Sequence, residues 1–239
     1  MQLPGPASLL FLSYLLVVIP LGAIRSRRIL RPPAGSAPSR PIPSRRQILG
    51  QTIFVLIGLG LLAWYAGRQF DYDPFAIPAV IRPEDWLAGF VALAAATAIV
   101  IVSRRFRTEE ERRNPAIDRW MPQDGPERAL FVVTAVLAGL AEEAAYRGVL
   151  VEVLNYSLGS WWVAVAVSAI AFGVAHAVQG WKSGIAIVAI ALLMQGLVAV
   201  TGTLVVAMAV HAVYDIVAGL AAGRAARRRA LEAGGPAPR

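Results

Sequence analysis

Apolar runs of membrane length constrain this chain more than any other feature. A helix needs about 20 mainly apolar residues to cross a hydrocarbon core of roughly 30 Å. The 239-residue sequence has 57% hydrophobic residues and only 16% charged ones, whereas soluble domains have about a quarter charged. It therefore predicts an all-α, polytopic membrane protein with about seven transmembrane helices. The predicted spans are residues 8–24, 47–66, 86–102, 129–156, 160–178, 184–200 and 203–221.

The first run differs from a cleaved signal peptide. Its leading residues contain no Lys or Arg, and the arginines follow the apolar run instead of preceding it. A signal peptide has the opposite order. The run is therefore predicted to be a true span.

The basic residues follow the predicted loops. Of the 23 Lys and Arg residues, 20 lie in loops on one side or in the C-terminal tail, while Arg68 and Arg82 lie on the other side and Arg147 lies inside a span. Cytoplasmic loops collect Lys and Arg, so we expect the C-terminus in the cytoplasm and the N-terminus outside. This distribution explains the net charge of +8 by topology, with the lipid bilayer and no nucleic acid as partner.

Several ionisable residues lie inside the predicted spans. Such residues are rare in membrane helices and by default indicate function. The chain has no cysteine, which excludes thiolate chemistry, and both of its histidines fall in spans. The ionisable residues are Glu142, Glu143, Arg147, Glu152, His176, His211 and Asp215.

On the fourth span, two neighbouring glutamates are predicted to face different directions. Glu143 and Arg147 are four residues apart, so they can form a direct pair. Glu142 lies about 100° round the helix and has no evident local partner, which leaves its carboxylate available for chemistry. Glu152 lies near the outer end and is expected to be interfacial.

Depth predicts that the remaining groups converge. Glu142 and His176 each lie 17 residues from the turn near Gly159, or roughly 25 Å along antiparallel helices. His211 and Asp215, four residues apart on the last span, can reach the same cytoplasmic half of the bilayer. A lone intramembrane histidine is often only a packed residue. Two histidines and two unpaired acids at compatible depths, however, make an entirely structural explanation unattractive.

Carboxylate and imidazole groups together can activate water. A glutamate can act as a general base, and imidazoles can bind a metal or donate to a developing oxyanion. The sequence contains neither a G-x-S-x-G elbow nor an H-E-x-x-H motif. The groups that could do this chemistry are instead dispersed over three helices.

Three short motifs carry a family resemblance. They are EEAAYR at 142–147, FGVAH at 172–176 and HAVYD at 211–215. Their order and spacing resemble the CAAX-prenyl protease and bacteriocin-processing family of intramembrane proteases, also called CPBP or Abi. The family pattern is Glu-Glu-x-x-x-Arg, Phe-x-x-x-His and His-x-x-x-Asn or Asp on successive helices, and the resemblance covers about 125–220.

The resemblance implies an intramembrane endopeptidase with a conical catalytic cavity open to the cytoplasm. It would hydrolyse a peptide bond of a membrane-associated peptide or protein, with Glu142 and His176 activating water. Glu143 and Arg147 would brace the first helix of the site.

The last motif would complete an oxyanion site or a metal site. His211 and Asp215 occupy these positions, and the family often has Asn where this chain has Asp215. Because a carboxylate cannot donate an amide hydrogen bond, Asp215 favours a cation or a protonated neighbour. Two cofactor assignments stay open: a divalent metal such as zinc held by Glu142, His176, His211 and Asp215, or a metal-free mechanism.

The predicted organisation has three parts. Residues 1–127 hold N-terminal transmembrane helices and basic cytoplasmic loops, residues 128–221 the protease core, and residues 222–239 a basic cytoplasmic tail.

One Lys against 22 Arg indicates a GC-rich bacterium and a multi-pass protein of its plasma membrane, so a bacterial peptide is favoured over a prenylated protein as substrate. The alternatives are a non-catalytic scaffold or immunity-type protein and, more weakly, a proton-coupled or cation transporter.

Overall fold

The described part of the computed structural model is helical throughout. It comprises residues 5–30, 43–108, 111 and 115–232, and within these ranges there is no strand. Six of its helices are long and apolar enough to cross a membrane, and a seventh apolar helix is shorter. Each of these seven helices overlaps one of the predicted apolar runs, so the predicted all-α polytopic fold is confirmed.

The seven helices are numbered here in chain order. They are α1 (Pro6–Ser13, continued by a π-helical segment Tyr14–Val18 and by Ile19–Leu30), α2 (Arg45–Gly67), α3 (Pro83–Arg105), α4 (Gly125–Glu142, continued by a π-helical segment Glu143–Val149 and by Leu150–Leu158), α5 (Trp161–Ala175), α6 (Trp181–Thr201) and α7 (Leu204–Glu232). Short helical turns at Arg68–Phe70, Pro115–Asp118 and Ala177–Gln179 lie between them.

Ion pairs join the helix ends at the basic side of the bundle. Arg45 contacts Glu127 at 3.2 Å and Arg46 contacts Asp124 at 2.9 Å, which links the first turns of α2 and α4. Asp124 also caps α4 by accepting a hydrogen bond from the Glu127 amide at 2.7 Å. That bond, with the Arg46 guanidinium, holds the pKa of Asp124 below its usual range.

Polar and aromatic contacts join the opposite ends. The Ser8 hydroxyl donates to Gln69 at 3.1 Å, and the rings of Phe70 and Tyr156 meet edge to face at 5.3 Å. The start of α1 therefore lies with the ends of α2 and α4, whereas the starts of α2 and α4 lie together. The basic segments of the described residues gather at one end of the bundle, as the charge pattern predicted; that this end is cytoplasmic stays a prediction.

Two predicted segments extend beyond the described residues. Of residues 31–46, part of the basic loop predicted between the first two spans, only 43–46 are described. Of the predicted tail 222–239, residues up to 232 continue helix α7, and the remainder lies outside the described residues.

Helix α5 ends earlier than the sequence predicted. It stops at Ala175, His176 forms its C-terminal cap, and the chain turns at Gly180 with a φ of 97°. Its 15 residues span about 22 Å, less than the hydrocarbon thickness. Non-helical backbone at that depth is tolerated where it is buried in protein or lines a cavity. His176 therefore lies at the end of a helix that is shorter than the hydrocarbon core.

Helices α4 and α7 approach each other closely at Gly139. A Cβ atom there would lie 2.7 Å from the Met208 carbonyl oxygen and 3.0 Å from the Ala212 amide nitrogen. Small residues allow this backbone contact between membrane helices. The contact is one turn from Glu142 and Glu143 on α4 and beside His211 on α7.

Substituting Gly139 tests whether this contact positions the site. We expect Gly139→Ala to lower stability by about 1–3 kcal/mol, because the added methyl group meets backbone atoms and forces α4 and α7 apart. The matched control is Gly196→Ala on α6, where a Cβ atom meets nothing within 4 Å. Unfolding in detergent measures both variants, and equal stability of the two would contradict the close contact.

Candidate functional site

Helix α4 changes its winding where its charged residues lie. Residues Glu143–Val149 form a π-helical segment and are all buried. The Ser168 hydroxyl of α5 donates to the Tyr146 carbonyl oxygen at 2.6 Å, which satisfies a backbone group of this segment. Single π-helical turns inside α-helices are rare overall. Where they occur, they often lie at functional sites.

Glu143 is a fully buried carboxylate held by two partners. Its Oε1 atom lies 3.2 Å from Arg147 Nη1 and 2.7 Å from His211 Nδ1. The predicted pair with Arg147 therefore forms. The contact with His211 was not predicted, and it ties α4 to α7.

His211 lies among three carboxylates. Because a carboxylate accepts hydrogen bonds, the Nδ1–H group of His211 donates to Glu143. Its Nε2 atom lies 3.6 Å from Asp215 Oδ2 and 3.9 Å from Glu142 Oε2. The sequence pattern gives Glu142 no partner on its own helix. In the structure its partner is His211 on α7.

His176 is oriented by its own helix. Its Nδ1 atom lies 2.8 Å from the Phe172 carbonyl oxygen. A carbonyl oxygen only accepts, so Nδ1 carries the proton and Nε2 of the neutral ring has a free lone pair. Glu142 interacts electrostatically with both His176 and His211. The structure therefore brings the three predicted motifs together.

The ring of Phe172 forms an aromatic wall between these groups. Its centroid lies 4.5 Å from that of His176, 4.9 Å from Tyr146 and 6.4 Å from His211. The Arg147 guanidinium lies 4.1 Å from the ring centroid, within the range of a cation–π contact. The sequence predicted only the contact with His176.

Accessibility divides the site into two layers. The side chains of Glu143 and Arg147 are 0% and 3% exposed, whereas those of Glu142 and Asp215 are 20% and 37% exposed. Glu152 is exposed and lies in the last part of α4, outside this cluster. Glu142 and Asp215 are thus the carboxylates of the cluster that a ligand can reach.

The cluster does not form a ready metal site. Among the described residues, no group of three or more His, Cys, Asp or Glu side chains is arranged to hold a metal ion. Nδ1 of His211 is taken by Glu143 and Nδ1 of His176 by a carbonyl oxygen, which leaves Nε2 of each ring as the nitrogen that can face a ligand. The arrangement suits proton transfer and hydrogen bonding by carboxylate and imidazole groups.

Sequence reasoning missed Tyr146, Ser168 and Gly139. Tyr146 lies between Glu143 and Arg147 in the sequence, but its side chain is not charged. Ser168 and Gly139 act through contacts with other helices, and only the close spacing of small residues could have indicated them.

The buried pair predicts the effect of removing one charge. We expect Arg147→Met to destabilise the protein by about 3–5 kcal/mol, because it leaves the Glu143 carboxylate buried without its cation. Unfolding in detergent measures this loss.

The double variant Glu143→Gln/Arg147→Met is the control. It removes both charges and should recover most of the lost stability, since no uncompensated ion is left. A loss below about 1 kcal/mol for Arg147→Met, as is typical of exposed pairs, would contradict the assignment of a buried pair.

Comparison with known families gives an independent finding. Residues 125–217 match the family model described as "Type II CAAX prenyl endopeptidase Rce1-like". Comparison with curated proteins and with solved structures found no match. The match spans α4 to α7 and includes all three motifs, and it confirms the resemblance seen in the sequence. Residues 125–217 of this chain are therefore similar to the Rce1-like type II CAAX prenyl endopeptidases.

Proposed function

We propose that this protein is an intramembrane endopeptidase in which Glu142 activates water. The observation that carries the proposal is the position of Glu142, a partly exposed carboxylate on the membrane-length helix α4 that lies 3.9 Å from His211 Nε2. The substrate is a peptide or protein associated with the membrane, since the groups lie inside the bundle.

The proposed first step is general-base catalysis. Glu142 takes a proton from a water molecule, whose oxygen attacks the carbonyl carbon of the scissile peptide bond. Nε2 of His176 has a free lone pair in its neutral form and orients the same water. The carbon–nitrogen bond then breaks, and Glu142 returns the proton to the leaving amine.

The oxyanion is assigned to His211. When protonated, this ring carries an N–H donor at Nε2 as well as at Nδ1, and Glu143 fixes its orientation through Nδ1. Asp215, 3.6 Å from Nε2, supports the protonated ring. In this assignment His211 donates to the oxyanion, so the Asp215 carboxylate, which cannot donate, does not have to.

The test is cleavage by matched glutamate variants. Wild type, Glu142→Gln, His176→Ala and Glu152→Gln are reconstituted with a library of membrane-tethered peptides, with and without a prenylated cysteine, and the products are identified by mass spectrometry. We expect Glu142→Gln and His176→Ala to lose at least about 100-fold in rate, the usual contribution of a general base. Glu152→Gln, on the same helix but outside the cluster, should cleave like wild type.

A metal chelator in the same assay separates the two cofactor assignments. Wild-type cleavage should persist, because the proposed mechanism activates water with Glu142 and His176 alone. Loss of cleavage that zinc restores would overturn the metal-free mechanism. Full activity of both Glu142→Gln and His176→Ala would overturn the catalytic site, and retained biological function without any cleavage would favour a scaffold.

A further inference from the structure

An apolar segment outside the helices is exposed at the end of the bundle opposite the basic residues. Residues 76–81, AIPAVI, belong to the connection between α2 and α3 and contain no helical turn. Ile77 is 80% exposed, the highest value among the large hydrophobic side chains of the described residues, and Val80 is 74% exposed. Single exposed apolar residues are normal on a protein surface, whereas a cluster of them indicates an interaction site.

The bundle holds this segment in place from both sides. On the side of α2, Pro74 is fully buried and Phe75 packs against the main hydrophobic core. On the side of α3, Ile81 packs against a second core cluster formed by α3, α6 and α7. Ile77 and Val80 lie between these fixed points, so their side chains project from a defined surface.

The exposed apolar surface continues onto both neighbouring helices. Leu61 and Tyr65 near the end of α2 are exposed, as are Leu87 and Phe90 in the first turns of α3. Both helices are long and apolar enough to cross a membrane, and exposed apolar side chains on a spanning helix are suited to contact with acyl chains. The occupant that this continuity indicates for the loop is the same lipid bilayer.

The backbone sets the depth of the segment. No hydrogen bond joins the peptide groups of residues 77–81 to any other described residue. Unpaired peptide groups are excluded from the hydrocarbon region, because no water is present there to pair with them. Arg82 and Glu84, which follow the segment, form an exposed ion pair at 3.7 Å. The backbone therefore lies at the level of the lipid headgroups, and only the side chains can reach the acyl chains.

We propose that residues 77–81 form a membrane anchor, in which Ile77 and Val80 insert among the upper acyl chains of the adjacent leaflet. The backbone and the neighbouring charged groups stay at the polar surface, which is the arrangement of an interfacial segment. The anchor fixes the depth of the connection between α2 and α3 in the bilayer. This proposal is independent of the proposed endopeptidase activity.

Single cysteines test the anchor, because the chain itself contains none. Ile77→Cys, Val80→Cys and the control Glu84→Cys are labelled with the fluorophore NBD and reconstituted alone in vesicles of phosphatidylethanolamine and phosphatidylglycerol. Emission is measured with aqueous iodide and, separately, with lipids brominated near the top of the acyl chains. We expect the labels at positions 77 and 80 to lose at least about half of their emission in brominated lipid, since interfacial side chains reach about 5–10 Å into the headgroup and acyl boundary. The label at position 84 should respond to iodide instead.

Three outcomes decide the proposal. All three positions are exposed, so the substitutions leave the packing of the bundle unchanged. Quenching of the labels at positions 77 and 80 by brominated lipid supports the anchor. Quenching of these labels by iodide as strongly as at position 84 overturns it, because the segment then lies in water and is free to bind another protein. Protection from both quenchers also overturns it, since a second copy of the chain then covers the segment.

Discussion

The buried carboxylate of Glu143 is the interaction on which the site depends. A charge inside a membrane protein is tolerated when it is paired and hydrogen-bonded, and Glu143 has Arg147 on its own helix and His211 on α7. The hydrogen bond to His211 joins α4 to α7 and fixes Nδ1 as the nitrogen of His211 that donates to Glu143. Arg147 in turn lies over the Phe172 ring of α5. One buried anion thus holds together the three helices that carry the motifs.

Two adjacent glutamates have different surroundings because the helix turns between them. Glu143 is fully buried, whereas Glu142 lies about 100° round the helix and is partly exposed. The π-helical segment begins at this point, and Ser168 satisfies one of its carbonyl groups. The result is a rigid inner layer that orients His211 and an outer layer in which Glu142 can exchange protons with a ligand. This division is the physical basis of the proposed mechanism.

Local sequence patterns predicted much of this arrangement. Apolar runs located all seven helices, and the four-residue spacings predicted the contacts of Glu143 with Arg147, of His211 with Asp215 and of Phe172 with His176. The bond between Glu143 and His211 joins residues 68 positions apart, and no local period encodes such a contact. The close approach at Gly139 and the early end of α5 likewise depend on packing between helices.

The central claim is that Glu142 activates water for direct attack on a peptide bond. A single turnover in ¹⁸O-labelled water, with excess enzyme and a cleaved membrane-tethered peptide, tests it most directly. Mass spectrometry of both the product and the enzyme peptide containing Glu142 follows the label. Direct attack by water predicts one ¹⁸O atom in the new C-terminal carboxylate of the product and none in Glu142. Label in the Glu142 carboxylate would indicate covalent attack by the glutamate and would contradict the account.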